Sequence, residues 1–155
     1  MIGGYDVYIY AEVFEVLKGK QLYIYNSFEK GFLTYYYILQ QVSTKREFLF
    51  FASAIIMYGL HFFVIKRDTE NISISLFVYF CKFFIYSFVY LRQGLAMAVI
   101  WLSISMIINK RHIYALFIIG LAFTLHRSSI IFIPYIFVAN KKFNNYQLLL
   151  GGFII

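Results

Sequence analysis

The sequence is short of charge, and above all of negative charge. Only 14% of its 155 residues are Asp, Glu, Lys or Arg, and no Asp or Glu follows Glu70. That balance is far from the usual soluble composition. Cys81 is the one cysteine, so an internal disulfide is excluded and a thiolate metal site is disfavoured. His61, His112 and His126 lie far apart in sequence, with no carboxylate beyond residue 70 to share an ion, so no metal cluster is expected. Gly-rich phosphate loops and nucleophile elbows are missing too. The opening MIGGYDVYIYAEVFE lacks the basic flank and apolar run of a secretory signal, and the first hydrophobic block is expected to do the targeting.

Apolar residues are plentiful, at 62%, and they come as blocks instead of a periodic stripe. Phe48–Ile65 (FLFFASAIIMYGLHFFVI) is interrupted only by Ser53, Tyr58 and His61. A membrane crossing needs about 20 mostly apolar residues. The expected fold is therefore all-α, a polytopic transmembrane helical bundle, with spans or part-spans at 48–65, 72–91, 94–108, 113–125 and 128–139 and the start of another at 148–155. Residues 1–31 read as an exposed polar segment at the membrane surface, with a short helix around Asp6–Leu17. FLTYYYILQQV (32–42) reads as an interfacial or re-entrant helix, its tyrosines suiting the headgroup zone; a tilted, buried short span is the competing reading. The stretch 113–139 is broken at His126–Arg127 and bent at Pro134. Two short helices forming a hairpin fit it better than one kinked helix, which would put Arg127 near midplane at a cost of several kcal/mol.

The net charge of +7 would point to nucleic acid in a soluble protein. Here the bases punctuate apolar blocks, which fits positive-inside anchoring and no nucleic-acid partner. Taken alternately, Lys66–Arg67, Lys110–Arg111 and Lys141–Lys142 fall on one side of the membrane; Lys45–Arg46, Arg92 and Arg127 fall on the other. The first side, with six bases against four, is expected to be cytoplasmic. Arg92, Gln93, His126 and Arg127 then share the external face, at the two ends of a hairpin whose tip is Asn109–His112.

Each of these polar residues has two readings. Arg92 is either a helix-end arginine snorkelling to the headgroups or an anion clamp whose fork holds two phosphate oxygens. Gln93 would add a neutral donor, and Gly94, Ala96 and Ala98 leave room for close approach of a helix or lipid chain. His126 is either a hairpin cap or a general base, since its ordinary pKa near 6.5 suits proton transfer. Arg127 faces either a phosphate or the headgroups, and Ser128 and Ser129 are placed to start the next helix. Lys82, near the centre of 72–91, is the most buried-looking charge and is expected to face the bundle interior or a water-filled cavity. His61 reads as local packing.

YLRQGLAMAVIWLS followed one hairpin later by LAFTLHRSSIIFIP resembles the EpsG-like branch of the Wzy-type bacterial exopolysaccharide, capsule and O-antigen polymerases. The likeness rests on Arg92, Gln93, Gly94 and Ala96, then on His126 and Ser128, with Ser129 where alanine is commoner. Upstream, Gly4, Asp6 and Tyr10 look like the family's Gly-x-Asp-x-x-x-Tyr stretch. Glu29, Gly31 and Phe32 look like its Glu-Pro-Gly-Phe turn, with Lys30 in place of proline. The resemblance implies a multi-pass enzyme of the bacterial cytoplasmic membrane that polymerises undecaprenyl-diphosphate-linked oligosaccharide repeats by glycosyl transfer at the outer face, without a cofactor. Its implied partners are the lipid-linked glycan, the bilayer, and flippase and chain-length regulator proteins. Arg92, Gln93 and Arg127 would bind diphosphate or sugar, with Lys82 and Asp6 as further substrate-binding candidates; His126 and Glu29 are both candidates for the base. Family members are typically longer at both ends, so the chain is expected to be a truncated interior piece, which puts its own activity in question. A non-catalytic partner in surface-polysaccharide assembly and a small transporter subunit are the alternative readings.

Overall fold

The computed structural model of the chain describes residues 5–84 and 89–139. Every regular element among them is helical: α1 (Tyr5–Val16), a 3-10 turn (Gly19–Ile24), α2 (Lys30–Gln40), α3 (Arg46–Asp68) and α4 (Ile72–Tyr79), which runs into a π-helical turn (Phe80–Phe84). Then come α5 (Leu91–Ile108), α6 (His112–Leu125), a second 3-10 segment (Arg127–Phe132) and α7 (Ile133–Val138). The expected element at 148–155 and part of the expected span 72–91 lie outside the described residues.

The N-terminal region is more deeply packed than its polar sequence suggests. Tyr10, Phe14, Leu22 and Phe28, all within the segment expected to be exposed, join Phe32, Leu33 and Tyr36 of α2 in the principal buried cluster. Their rings meet at angles typical of aromatic packing, with Phe14 and Tyr36 edge-on at 5.0 Å and Phe28 and Phe32 edge-on at 5.4 Å. Polar groups of the same helices close the backbone ends. Gln40 Nε2 donates to the carbonyls of Phe14 and Leu17, both at 2.8 Å, capping the end of α1 from the neighbouring helix. The buried Tyr36 hydroxyl donates to the Tyr10 carbonyl at 3.0 Å. Arg46, at the start of α3, pairs with Glu15 of α1, whose carboxylate also accepts the Arg46 backbone N–H at 3.1 Å. The Gln40 and Tyr36 contacts join α2 to α1, and the Arg46–Glu15 pair ties α1 to α3.

Among the described residues two helices, Arg46–Asp68 and Leu91–Ile108, are long and apolar enough to cross a membrane by length and composition. In α3, Leu49, Ser53, Met57, His61 and Val64–Ile65 are buried and recur at three- to four-residue spacing, which makes one inward stripe. Phe51, Ile55, Phe62 and Phe63 on the other faces are exposed. Glu47 in the first turn and Lys66 and Arg67 in the last complement the helix dipole, and Thr69 ends the helix by returning its hydroxyl to the Ile65 carbonyl at 2.7 Å. His61 packs inside, with Nδ1 2.7 Å from the Met57 carbonyl and its ring against Tyr79 and Trp101.

The α5–α6 hairpin is built on small residues. Gly94, Ala96, Ala98, Ser103 and Ser105 of α5 are buried, as are Ala115 and Ala122 of α6. Its tip has a helix-terminating pattern in which Lys110 takes the left-handed conformation (φ 59°), while the N–H groups of Lys110 and Arg111 return to the carbonyls of Ile107 and Met106. Lys82 departs from expectation. It lies on the π-helical turn, none of whose residues is buried, and is exposed among the described residues.

One close approach sets the height of α2 against α6. A Cβ placed on Gly31 would come within 2.5 Å of the Thr124 Cβ and carbonyl oxygen, and backbone cannot yield as a flexible side chain can. Gly31→Ala is therefore expected to push the two helices apart and to cost about 1–3 kcal/mol, read as a lowered Tm of the purified protein. Thr124→Ala should not rescue it, because the carbonyl obstacle stays; an unchanged Tm for Gly31→Ala would show that the helices have slack.

Candidate functional site

Four segments that are distant in sequence meet at the N-terminal ends of α2 and α5. Glu29 precedes α2 in extended conformation (φ −67°, ψ 144°), and its side chain does not cap its own helix. The carboxylate turns instead to Arg92, the second residue of α5, where Oε2 accepts from Nη1 at 2.8 Å. The other oxygen, Oε1, accepts the backbone N–H of Arg127 at 3.2 Å. His126, which ends α6, brings Nδ1 to 3.5 Å from the same oxygen. That separation is an electrostatic contact too long for a hydrogen bond, and the buried Nδ1 has no hydrogen-bond partner among the described residues.

Arg92 is held on several sides. Nε donates to the Tyr10 hydroxyl and Nη1 to the Ser27 carbonyl, each at 3.3 Å, and the guanidinium lies over the Phe28 ring at 4.6 Å. Its Nη2 makes no hydrogen bond among the described residues. The imidazole Nε2 of His126 contacts the Ser128 hydroxyl at 3.1 Å. Ser128 thus serves the histidine, and no side chain caps the helical segment that begins at Arg127.

The surroundings tune these groups in opposite senses. Burial raises the Glu29 carboxyl, but hydrogen bonds from its own and the Arg127 backbone N–H, together with Arg92, outweigh it and hold the group below the usual carboxylate range. Burial pushes the His126 imidazole below its ordinary value, and the Glu29 charge recovers only part of the loss. Near neutral pH the cluster therefore holds one carboxylate, one guanidinium and a neutral imidazole.

Two hollows flank it. A groove of about 620 Å³ runs between α2 and α6, with Glu29, Lys30 and Arg127 at a polar end and Tyr35, Ile38, Leu121, Phe123 and Leu125 among its walls. A smaller pocket of about 90 Å³ is lined by Gln93, His126, Ser128 and Ser129 together with Ala96, Met97 and Phe132. Glu29, Arg92, Gln93, His126 and Arg127 are thus gathered in one place. Two candidates stand apart. Lys82 is exposed on its π-helical turn and touches none of them. Asp6 lies one helical turn before Tyr10 without reaching Arg92, and makes no ion pair among the described residues. Among those residues no group of three or more His, Cys, Asp or Glu could hold a metal ion. Ser27 and Phe28 were not singled out by sequence; their only signal is adjacency to Glu29.

The model of the EpsG family matches residues 2–155, almost the whole chain. The chain belongs to the EpsG family. No curated protein and no solved structure matches it. In this EpsG-family chain the structure gives physical reasons for two of the residues that carry the resemblance. Glu29 is the carboxylate shared by Arg92, Arg127 and His126. Gly31 is the position at which α2 and α6 touch.

Glu29 also dictates an acid response. Its carboxyl is depressed in the folded chain, so its contribution to stability is complete above the ordinary value of 4.5 and is lost as pH falls through the lower folded value. Glu29→Gln is expected to lower Tm at neutral pH by the loss of a charge-assisted hydrogen bond, about 1–3 kcal/mol. The gap to wild type should close under acid conditions. Parallel Tm–pH curves that never converge would mean that the carboxylate charge contributes nothing.

Proposed function

We propose that the chain carries the phosphate-binding and proton-accepting groups of a surface-polysaccharide polymerase acting on undecaprenyl-diphosphate-linked repeat units, at the outer face of the bacterial cytoplasmic membrane. The observation that carries this reading is the meeting of Arg92 and His126 around Glu29 beside an apolar groove with a basic end. EpsG-family membership supports the link to surface polysaccharide. Further support for a membrane setting comes from the two long apolar helices and from the exposed apolar side chains along α3 and α6.

Glycosyl transfer of this kind needs three things. An acceptor hydroxyl must lose its proton, the anomeric carbon must form a bond to that oxygen, and the bond to the departing lipid diphosphate must break. Arg92 and Arg127 serve the diphosphate, whose negative charge grows as it leaves. Arg92 is oriented by Tyr10, Ser27 and Phe28, while the exposed guanidinium of Arg127 is at the polar end of the groove. His126 is the better base. It is neutral near pH 7 and presents Nε2 beside Ser128 and the small pocket, whereas Glu29 is a weak base made weaker by its partners. Gln93, lining the same pocket, orients a sugar hydroxyl.

The deciding substitution is Arg92→Lys, which keeps the positive charge and removes the planar fork. In cells whose surface glycan depends on this chain, mean glycan length is expected to fall sharply, since losing one transition-state donor slows the chemical step by about 10²–10³-fold. Unaltered length, with the variant present in the membrane at wild-type level, would favour a non-catalytic role in the same assembly system.

A further inference from the structure

Both oxygens of the Glu29 carboxylate already accept a hydrogen bond, Oε2 from Arg92 Nη1 at 2.8 Å and Oε1 from the Arg127 backbone N–H at 3.2 Å, and neither completes one with His126. Oε2 of Glu29 is committed to Arg92 at 2.8 Å, while Oε1 stops 3.5 Å short of His126 Nδ1. Among the described residues the buried Nδ1 is left without a hydrogen bond, an arrangement that costs free energy unless another state repairs it. On the other side, Arg92 keeps Nη2 free of hydrogen bonds among the described residues, and its side chain is 22% exposed. An anion can therefore approach the guanidinium from the open side while Glu29 still holds Nη1.

We infer that Glu29 is a positioning residue exchanged between two partners: it neutralises Arg92 in the empty site, and when a diphosphate takes over Arg92 the carboxylate passes to His126 Nδ1. The inference rests on the polymerase reading and adds to it a coupling between substrate binding and base strength. The movement required is under about 1 Å, from 3.5 Å to an ordinary charge-assisted hydrogen-bond length. Once formed, the bond fixes the proton on Nδ1 and leaves Nε2 as the acceptor, toward Ser128 and the small pocket. Glu29, from the start of α2, and Arg92, from α5, are the charged groups whose fields act on His126, and they act in opposite directions. An anion on Arg92 cancels the unfavourable one and releases the favourable one. The imidazole then gains basicity only when a leaving group is in place, which protects the site from idle protonation.

Linkage makes the test two-sided, because an anion that strengthens proton binding at His126 must itself bind more tightly when His126 is protonated. The His126 ring nitrogens can be followed by 15N NMR in the full chain in nanodiscs, titrated over pH with and without inorganic pyrophosphate. The expected result is a rise of about one pKa unit on adding pyrophosphate, together with a hydrogen-bonded Nδ1–H signal that is absent without it. In Glu29→Gln most of that rise should vanish. An equal rise in both proteins would mean that the anion acts on His126 directly and would overturn the exchange. So would binding seen at the Arg92 side-chain signals with no change at His126, although that outcome leaves the polymerase reading intact. No binding at Arg92 at millimolar pyrophosphate would remove both. If the variant does not fold, the wild-type Nδ1 signal decides alone: its appearance only with pyrophosphate supports the exchange, and an unchanged signal refutes it.

Discussion

A carboxylate and a guanidinium drawn partly out of water, over an aromatic ring, are each costly alone and tolerable together. Glu29 and Arg92 stand in that relation, with Glu29 only 11% exposed and the Phe28 ring beneath the guanidinium. Such pairs add little net stability over an apolar replacement, but loss of one member leaves a stranded charge. Their value lies in specifying an arrangement. Tyr10 brings α1, Ser27 and Phe28 bring the loop before α2, and the Arg127 backbone brings the end of α6, all to the same two side chains. The aromatic cluster of α1 and α2 supplies the packing, and the ion pair decides how that cluster meets the apolar hairpin.

The apolar helices use a different logic. Where α5 and α6 face each other, Ala, Ser and Gly lie beside the buried Ile100, Ile107 and Ile119, whereas Ile113, Phe117 and Leu121 are exposed. Close approach through small residues is how helices associate when the surrounding medium is itself apolar. The hairpin brings the His126 end of α6 back beside the start of α5, where Gln93 and His126 line one pocket.

Sequence alone is informative where chemistry is written in composition or in chain order. The apolar blocks mark α3 and α5 to within a few residues, and hairpin connectivity by itself puts Arg92 and His126 at one end. It misleads where a local pattern is overridden by distant contacts. The polar stretch 1–31 looks like surface because its tyrosines and glutamates are amphipathic, yet long-range packing buries Tyr10, Phe14 and Phe28. Lys82 looks interior because its neighbours are apolar, but the turn that carries it packs no residue into the described core. Pairing between Glu29 and Arg92 spans 63 residues, and nothing local to either encodes it.

The contact between Gly31 and Thr124 has a geometric consequence for the cluster next to it. Gly31 lies two residues after Glu29, and Thr124 lies two residues before His126. The two functional side chains are therefore measured from a common datum, each by a half-turn of helix or its approach. In a helix each added residue rotates the rest of the chain by about 100° and advances it by about 1.5 Å. Inserting one residue between Thr124 and His126 would swing the imidazole off Glu29 even if every side chain were retained. The spacing itself is thus part of the site, as much as the residues it separates.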